Sequence, residues 1–419
     1  MMMKFLLLKH RYNYFLAKTE SIALETVAAA LQANQIDFVY YDENFLRGGF
    51  RKLKKTIAKN NVTHLGITTN PNDIDETLVV ARKLKKDFPN LFVILGGNNA
   101  ELYYNLYFDD AVDLIYHDNG LKTFDTLLKA HFSSDAIKNA KGVCYKEEGK
   151  WVVNEKGEAI SEFEFEALRL TDYKKTYLYS KGNYALVKGS WSCPHKCLFC
   201  NCRRMNNGKY TQRNLDNLIS EIERIKCKQI WIVDDDFFAD KKRAIEFCNT
   251  VIDRKIEKEY YAYARADFVC ENPDILPLAR KAGFRNLNIG FEAVNDKILE
   301  HFEKFTTKKM NETCVKYLSE NGINCVGSFI LTPDFTRKDF KDLKNFVKEY
   351  RIHDTIFAPL MLFSMYENEN AQRIKSKRIN EKHINFKPLN MTKLEYSFRF
   401  YMLYVRFFLI QWSRKIKLK

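Results

Sequence analysis

Long apolar runs are missing from this 419-residue sequence. Residues 5–8 are apolar, but four residues are too few for the core of a signal peptide. The aromatic segment 398–412 carries Arg399 and Arg406, which leave it too short and too charged to span a membrane. We therefore expect a chain without a targeting segment or a membrane span.

Cysteine is absent from the first 143 residues, and the ten cysteines that follow are not arranged as in a secreted disulfide framework. Cys227, Cys248, Cys314 and Cys325 fall in predicted helices or strands, where an unpaired cysteine usually behaves as a small buried apolar residue. A reducing compartment fits this usage, so the predicted localisation is cytoplasmic.

The composition is that of a globular protein, with 46% hydrophobic and 29% charged residues. A chain of this length has room for two or three domains. The net charge of +15 raises the question of nucleic-acid binding. Because lysine is spread along the whole chain, we interpret the excess as a solvated surface and do not expect a nucleic-acid partner.

Three cysteines stand close together after the apolar run 184–187, namely Cys193, Cys197 and Cys200 in C-x3-C-x2-C spacing. Sulfur ligands select iron–sulfur clusters, zinc or copper(I). Three thiolates leave a four-iron cluster one ligand short, so a substrate or cofactor can bind the open iron. The alternatives are a zinc knuckle completed by Cys202, or three unrelated buried cysteines. We interpret Cys202 as a bystander and His195 as a loop residue.

Apolar strands alternate with helical periods along residues 4–130, which predicts a parallel, doubly wound α/β sheet of the Rossmann type. Ligands of such sheets bind at the carboxyl ends of the strands. The twin glycines at one end permit close approach of a ligand to the backbone, or simply form a turn. The polar and glycine residues at these ends are Thr68, Thr69, Asn70, Gly96, Gly97, Asn119 and Gly120.

From Tyr184 six further strand–helix units follow, with polar residues gathered where strands end. This pattern predicts an open (β/α)6 TIM-like barrel whose site lies on the carboxyl face. Asp234 and Asp236 follow the second strand of this set, Arg265 the third and Glu292 the fourth. Each acid also suits a helix N-cap, which is the structural alternative to a role in binding.

Four segments are expected: a first domain at 1–130, a connector at 131–183 with a hairpin near 142–153, the barrel at 184–360, and a helical C-terminal extension at 361–419. The extension ends in an aromatic helix with the basic tail 414–417. Such a helix can lie on a membrane surface. We expect it instead to pack over the mouth of the barrel.

The cysteine loop, with the aromatic Phe199 before its last cysteine, resembles the signature of the radical S-adenosylmethionine enzymes, and residues 184–360 resemble their partial barrel. The resemblance implies a [4Fe-4S] cluster held by Cys193, Cys197 and Cys200, with S-adenosylmethionine on the fourth iron. An external one-electron reductant such as flavodoxin or ferredoxin is implied, and cleavage then yields a 5′-deoxyadenosyl radical.

The resemblance also implies contacts to S-adenosylmethionine. Asp234 and Asp236 are expected to bind the methionyl amine. Glu292 is expected to bind the ribose hydroxyls or a substrate. Arg265 is expected to bind the methionyl carboxylate or to orient Glu292. Gly327 and Ile330 lie where related enzymes pack against adenine, although ordinary strand packing explains these two equally well.

Residues 66–68, 93–97, 113–115 and 123–128 together resemble the cobalamin-binding domain that precedes many radical enzymes. Asn98 and Asn99 stand where relatives often have Pro-His, residues 117–120 replace a Gly-Glu-Gly-Glu-like turn, and an Asp-x-His-x-x-Gly motif is absent. The resemblance implies bound cobalamin at the strand ends and methyl transfer to an unactivated carbon of a small molecule or peptide.

Two absences narrow the class further. Methylthiotransferases carry three cysteines near the N-terminus for a second cluster, and this chain has none there. No cysteine follows Met361, so an auxiliary-cluster domain is not expected. The readings that remain open beside methyl transfer are a cobalamin-independent radical rearrangement or elimination, and a metal-binding module that acts on RNA.

Overall fold

The first strand, Lys4–Lys9, is buried on both faces. Leu6 and Leu8 enter one apolar core, whereas Phe5 and Leu7 enter a second core on the opposite side. Since successive side chains of a strand point to opposite faces, a fully apolar strand must lie between two packed layers. This arrangement is the doubly wound sheet that the sequence predicts.

The computed structural model describes residues 3–11, 17–46, 48–70, 74–118, 120–178, 182–352, 354–359 and 387–417. The described residues divide into two units. The first runs to Leu186 and includes Arg204–Arg213, and the second holds Val187–Arg203 and the described residues from Asn214 onward.

The sheet of the first unit has seven strands in the order β2-β1-β3-β4-β5-β6-β7. The strands are β1 (Lys4–Lys9), β2 (Asp37–Asp42), β3 (His64–Thr68), β4 (Phe92–Gly96), β5 (Leu114–Tyr116), β6 (Val143–Glu147) and β7 (Lys150–Val153). Strands β1 to β5 pair in parallel. The order reverses between β1 and β3, where Lys9 is in register with Thr68. Such a reversal opens a ligand crevice at the carboxyl ends.

The hairpin of β6 and β7 forms the antiparallel edge of this first sheet. The sequence placed it in the connector, and the physical reason for its different position is burial. Val143 and Tyr145 enter one core of the first unit and Cys144 enters the other. The hairpin therefore completes both apolar layers.

Six helices of the first unit connect or flank the strands. They are α1 (Ile22–Ala33), α2 (Gly49–Lys59), α3 (Ile74–Asp87), α4 (Asn98–Tyr103), α5 (Leu121–Lys129) and α6 (Ser134–Asn139). A short antiparallel pair joins Ala17–Lys18 to Tyr177–Leu178.

The other large sheet has six strands that are adjacent in chain order, as in an open (β/α)6 barrel. The strands are β8 (Tyr184–Val187), β9 (Gln229–Ile232), β10 (Glu259–Ala264), β11 (Phe284–Glu292), β12 (Asn324–Leu331) and β13 (Asp354–Pro359). Strands β9 to β13 pair in parallel. The predicted partial barrel is confirmed, and its carboxyl ends share one edge.

Helices alternate with these strands. They are α7 (Leu215–Arg224), α8 (Lys241–Asp253), α9 (Ala266–Glu271), α10 (Leu276–Ala282), α11 (Asp296–His301), α12 (Lys308–Glu320) and α13 (Arg337–Glu349), followed by the C-terminal α14 (Lys393–Lys417). Within the described residues, no helix combines the length and the apolar composition that crossing a membrane requires.

One face of α14 packs on the second unit. Tyr396 and Phe400 are buried, and the Tyr396 hydroxyl donates to the carbonyl oxygen of Thr332, which follows β12, at 2.9 Å. The Tyr396 ring also meets Phe340 of α13 with ring centroids 5.1 Å apart. The first half of α14 therefore packs at the carboxyl end of the barrel strands.

Candidate active site on the carboxyl face of the barrel

The cysteine loop begins just after β8 and is fixed by backbone hydrogen bonds. The amide of Leu198 donates to the carbonyl of Phe302 at 3.1 Å, and the amide of Cys200 donates to the carbonyl of Cys197 at 3.1 Å. Cys197 is buried, whereas Cys193 and Cys200 are half-buried. The loop therefore holds its three sulfurs near the strand ends while two of them stay accessible.

The surroundings of these thiols differ. Burial raises the pKa of the Cys193 thiol to about 12. A hydrogen bond with Cys202 lowers the pKa of Cys200. The Cys202 thiol itself donates to Oδ1 of Asp235 at 3.1 Å. Metal binding deprotonates a thiol outright, so a cluster would overcome the burial of Cys193.

A single zinc ion and a four-iron cluster require different spacings of the three sulfurs. Cys193, Cys197 and Cys200 do not form a set whose sulfurs all lie within 4.8 Å of one another; among the described residues only His10, Glu43 and Glu76 bring three donor atoms that close. One tetrahedral zinc with bonds of about 2.3 Å would need sulfurs about 3.8 Å apart. In a four-iron cluster each thiolate binds a different iron, so the three sulfurs need not converge on one metal ion.

Arg265 reaches the loop from the end of β10. Its Nη1 lies 3.3 Å from the sulfur of Cys197, and its Nη2 donates to the carbonyl of Lys304 at 2.6 Å. The guanidinium also forms a fork with Asp267, with Nη2 2.6 Å from Oδ2. Arg265 is buried, so these contacts fix a positive charge beside one predicted cluster ligand.

Glu292 at the end of β11 forms a buried ion pair that the sequence did not reveal. The Nζ of Lys304 lies 3.0 Å from Oε1 of Glu292, and both residues are buried. Burial opposes the charged form of Lys304, but the Glu292 carboxylate holds the pKa of Lys304 above its usual value. The same ammonium lies 5.7 Å from the ring centroid of Phe199, so the pair also contacts the cysteine loop.

The backbone makes room for this pair. Glu292 has φ of +62° and follows a register shift between β11 and β12. A Cβ at Gly290 would lie only 2.4 Å from Oε1 of Glu292, so glycine is needed there for the carboxylate to turn inward. Nothing in the loop 303–306 signals Lys304, since an isolated lysine has no characteristic spacing.

Asp234 and Asp236 have different surroundings although both are buried. Oδ1 of Asp234 accepts from the amide of Gly189 at 2.6 Å, and burial raises the pKa of Asp234. The side-chain carboxylate of Asp236 accepts no hydrogen bond from a described residue, although Nε2 of His195 lies 3.3 Å from its Oδ2. Asp234 thus holds the chain before the cysteines, whereas Asp236 keeps an open carboxylate.

Neither aspartate caps a helix with its side chain. The cap of α8 is Asp240, whose Oδ1 accepts from the amide of Arg243 at 3.2 Å. Glu292 is likewise no cap, because the side chain of Asn295 caps α11. In this described part of the chain, none of the three acids therefore caps a helix with its side chain, which was the structural alternative that the sequence left open.

Ile330 and Gly327 both lie on β12 but have different surroundings. Ile330 packs against Phe302, with Phe199 of the cysteine loop beside them. A Cβ at Gly327 would instead lie 2.9 Å from the Phe329 ring and 3.2 Å from Ile352. Packing inside the protein therefore explains Gly327, and Ile330 is the member of the predicted adenine pair that lies near the loop.

The carboxyl edge of the first sheet contains the other predicted site. The Thr69 hydroxyl donates to the carbonyl of Gly96 and accepts from the amide of Ala100, each at 2.9 Å. Gly97 has φ of +103°, and a Cβ there would lie 2.8 Å from Oγ1 of Thr68. The protein itself therefore requires glycine at position 97.

The other residues predicted to bind cobalamin also differ in whether contacts within the protein explain them. A Cβ at Gly120 would lie 2.3 Å from the Tyr116 ring, whereas a Cβ at Gly96 would meet nothing closer than 3.8 Å. Thr68, Asn70 and Gly96 are half-buried, and Asn119 lies outside the described residues. The half-buried residues and the room at Gly96 fit a flat cofactor at this edge.

Two residues that depart from the cobalamin-domain pattern, Asn99 and His117, contact other residues of the protein. Asn99 donates to the Tyr107 hydroxyl at 2.7 Å, and Nε2 of His117 lies 3.0 Å from the carbonyl of Asn154. Both side chains are buried. These two contacts hold the turns at the edge of the sheet in place.

Comparison with known proteins agrees with this geometry. Residues 191–347 match the radical SAM superfamily. The chain is 25% identical over 317 residues to an uncharacterised methyltransferase of Pyrococcus horikoshii, covering 72% of this chain and 68% of that protein. It is 25% identical over 288 residues to the hopanoid C-3 methylase of Methylococcus capsulatus, covering 66% of this chain and 54% of the methylase.

A solved structure shares the fold. It is the radical S-adenosylmethionine methyltransferase TsrM of Kitasatospora setae with cobalamin and a [4Fe-4S] cluster bound. The TM-score is 0.69 at 16% identity, covering 85% of this chain and 75% of that one. The chain thus spans little more than half of the hopanoid methylase and three quarters of TsrM.

Proposed function

We propose that this chain is an enzyme with a radical S-adenosylmethionine domain that transfers a methyl group to an unactivated carbon in a cobalamin-dependent reaction. One observation carries the proposal. The 317-residue similarity to the methyltransferase of Pyrococcus horikoshii is longer than the whole second unit, so it includes part of the first unit as well. A likeness confined to the radical domain would support radical chemistry alone.

The residues of the barrel face have distinct roles in this proposal. Cys193, Cys197 and Cys200 hold the cluster, and Asp236 accepts the amine of S-adenosylmethionine. Glu292, oriented by Lys304, faces the ribose hydroxyls. When bound, the cluster supplies the electron that cleaves S-adenosylmethionine, and cobalamin carries the methyl group.

The proposed substrate is a small molecule with a saturated or otherwise unactivated carbon. The relation to the hopanoid C-3 methylase supports an apolar scaffold, and a peptide is the alternative. The electron comes from an external donor such as flavodoxin or ferredoxin. No described residue of the barrel face is assigned to the substrate itself.

A second candidate is radical chemistry without cobalamin. The observation that favours it is the internal engagement of Gly97, Gly120, Asn99 and His117, each explained by contacts within the protein. In that case the deoxyadenosyl radical would act on the substrate directly in a rearrangement or elimination.

Absorbance of the anaerobically reconstituted protein separates the candidates. Cobalamin adds its own visible bands, a cluster alone gives a broad shoulder, and a zinc module gives neither. We expect both the shoulder and the cobalamin bands in protein purified from cobalamin-fed cells. Protein that carries no cobalamin and gains none on incubation would end the methyl-transfer proposal and leave the radical domain in place.

A matched pair of glycine variants tests where cobalamin binds. Gly96→Val fits the fold, because its Cβ has room, but places a side chain where the cofactor would approach. We expect less bound cobalamin with unchanged iron content and unchanged cleavage of S-adenosylmethionine. Gly97→Val should instead destabilise the first unit whatever it binds, so it serves as the folding control. Full cobalamin loading in Gly96→Val would contradict binding at this edge.

A further inference from the structure

Helix α14 has a second apolar face that is exposed. Leu394, Phe398, Met402 and Val405 are 83%, 66%, 36% and 46% exposed. Their spacing of four, four and three residues places them on one side of the helix. Tyr396, Phe400 and Leu403 on the other side are buried. We call the four exposed side chains the outer stripe.

The outer stripe is not scattered surface hydrophobicity. Ten large apolar side chains are exposed in the described part of the chain. Five of them lie on α14, namely the four of the outer stripe and Tyr401. Single exposed apolar residues are normal, but a contiguous row of them marks an interaction surface. The concentration on one helix therefore calls for an occupant.

The charge of the same segment indicates its chemistry. Residues 393–419 contain seven lysines and arginines and one acid, Glu395. That acid is already paired, since its Oε1 lies 2.7 Å from Nε of Arg337 and 2.8 Å from Nη2 of Arg399. With seven basic residues against one acid, the segment is strongly basic.

We propose that α14 docks this enzyme on the surface of an anionic lipid bilayer, with the outer stripe in the boundary between headgroups and acyl chains. An apolar face with flanking basic residues is the pattern of helices that lie in this interface. Anionic headgroups attract nearby lysines and arginines. The outer stripe covers about 17 Å of helix at 1.5 Å per residue, which suits a helix lying flat rather than one crossing the bilayer.

A second copy of the chain fits the same face less well. Two such helices placed face to face would bring together two segments of the same strong positive charge, and like charges across an interface oppose association. Lipid headgroups supply the opposite charge. The inference depends on α14 alone and is independent of the proposed methyl transfer.

The test uses the full-length reconstituted enzyme and two kinds of vesicle. One is phosphatidylcholine alone, and the other is phosphatidylcholine mixed with phosphatidylglycerol. We expect sedimentation with the mixed vesicles, weakened by high salt because screening reduces attraction between surface charges. The double variant Phe398→Ser/Met402→Ser should lose roughly tenfold or more in vesicle affinity, and its cleavage of S-adenosylmethionine in solution should not change.

The control removes two exposed apolar side chains elsewhere. Val79→Ser/Val153→Ser changes α3 and β7 of the first unit, where the residues are 42% and 43% exposed, and should bind vesicles as the unaltered enzyme does. Equal sedimentation of the outer-stripe variant and the unaltered enzyme would overturn the proposal. So would an enzyme that ignores both kinds of vesicle but forms a dimer that Phe398→Ser/Met402→Ser dissociates, since the occupant would then be a second copy.

Discussion

The guanidinium of Arg265 lies 3.3 Å from the sulfur of Cys197, and both side chains are buried. A charged donor beside a cluster thiolate stabilises the more negative, reduced state of the cluster. The reduction potential of an iron–sulfur cluster depends on hydrogen bonds to its sulfurs and on nearby charge. We therefore expect Arg265 to tune the reduction of the proposed cluster through its contact with Cys197.

Arg265→Gln should leave the cluster loaded but make its reduction potential more negative by roughly 60–130 mV, if the charged hydrogen bond contributes about 1.5–3 kcal/mol and a one-electron couple shifts about 59 mV for each ~1.4 kcal/mol. Arg265→Lys should shift it less, because the charge remains. Arg285→Gln removes a guanidinium at the opposite end of β11 and should leave the potential unchanged. An anaerobic redox titration measures all three, and equal potentials for Arg265→Gln and the unaltered enzyme would contradict the role.

Asp234 and Asp236 should respond oppositely to alanine. Asp236→Ala should weaken S-adenosylmethionine binding about 10- to 150-fold, the effect of losing one charge-assisted hydrogen bond, with little loss of stability. Asp234→Ala leaves the amide of Gly189 without its acceptor and should cost about 1–3 kcal/mol of stability. Equilibrium binding and urea unfolding separate these effects. Weaker binding in Asp234→Ala at unchanged stability, with normal binding in Asp236→Ala, would exchange the two roles.

The sequence predicted the features that rest on periodicity. The two-sided burial of β1 follows from its unbroken apolar run, and the barrel follows from six strand–helix repeats. The position of the Cys193 loop follows from the end of a strand. The hairpin at 143–153 was assigned to the connector because pairing partners across a sheet leave no mark in a local pattern.

The sequence could not distinguish side chains by their partners. Asp234 and Asp236 stand two residues apart and look equivalent, but only one accepts from the amide of Gly189. Gly97 looked like a ligand contact, and its positive φ and the nearby Thr68 hydroxyl explain it without one. Lys304 gave no signal, because it lies in a loop and its partner Glu292 lies at the end of β11.

Cys202 should prove dispensable for the cluster. Its thiol donates to Asp235, which is a sufficient reason for its position. Cys202→Ala should retain iron and cleavage of S-adenosylmethionine, whereas alanine at Cys193, Cys197 or Cys200 should abolish both. Iron and sulfide content after reconstitution is the measurement. Loss of iron in Cys202→Ala, or full loading in Cys200→Ala, would mean that the ligand set is different.

Two buried carboxylates of the first unit predict a pH dependence. Oε1 of Glu20 lies 2.9 Å from Nη1 of Arg169 and accepts from the amide of Leu186 at 2.5 Å. Glu25 accepts from the Thr171 hydroxyl at 2.6 Å. Burial raises the pKa of Glu20 from 4.5 to about 7, and burial raises the pKa of Glu25 as well.

The unfolded chain releases the Glu20 proton near pH 4.5, whereas the folded chain keeps it until about pH 7. The free energy of unfolding should therefore fall as pH rises between these values, by about 3 kcal/mol at ~1.4 kcal/mol per unit, and then level off. Glu20→Gln should remove this slope, and the exposed Glu155→Gln should retain it. Urea unfolding at a series of pH values tests the prediction, and a slope unchanged in Glu20→Gln would refute it.

Lys304 and Glu292 should behave as a coupled pair. Lys304→Met leaves the Glu292 carboxylate buried without its cation, which should cost about 3–5 kcal/mol of stability. The double variant Lys304→Met/Glu292→Gln removes both charges and should recover much of that loss. If Glu292 faces the ribose, the double variant should fold and load iron but bind S-adenosylmethionine weakly. Recovery of stability together with normal binding would make the pair purely structural, whereas additive losses of stability would show that the two side chains are not coupled at all.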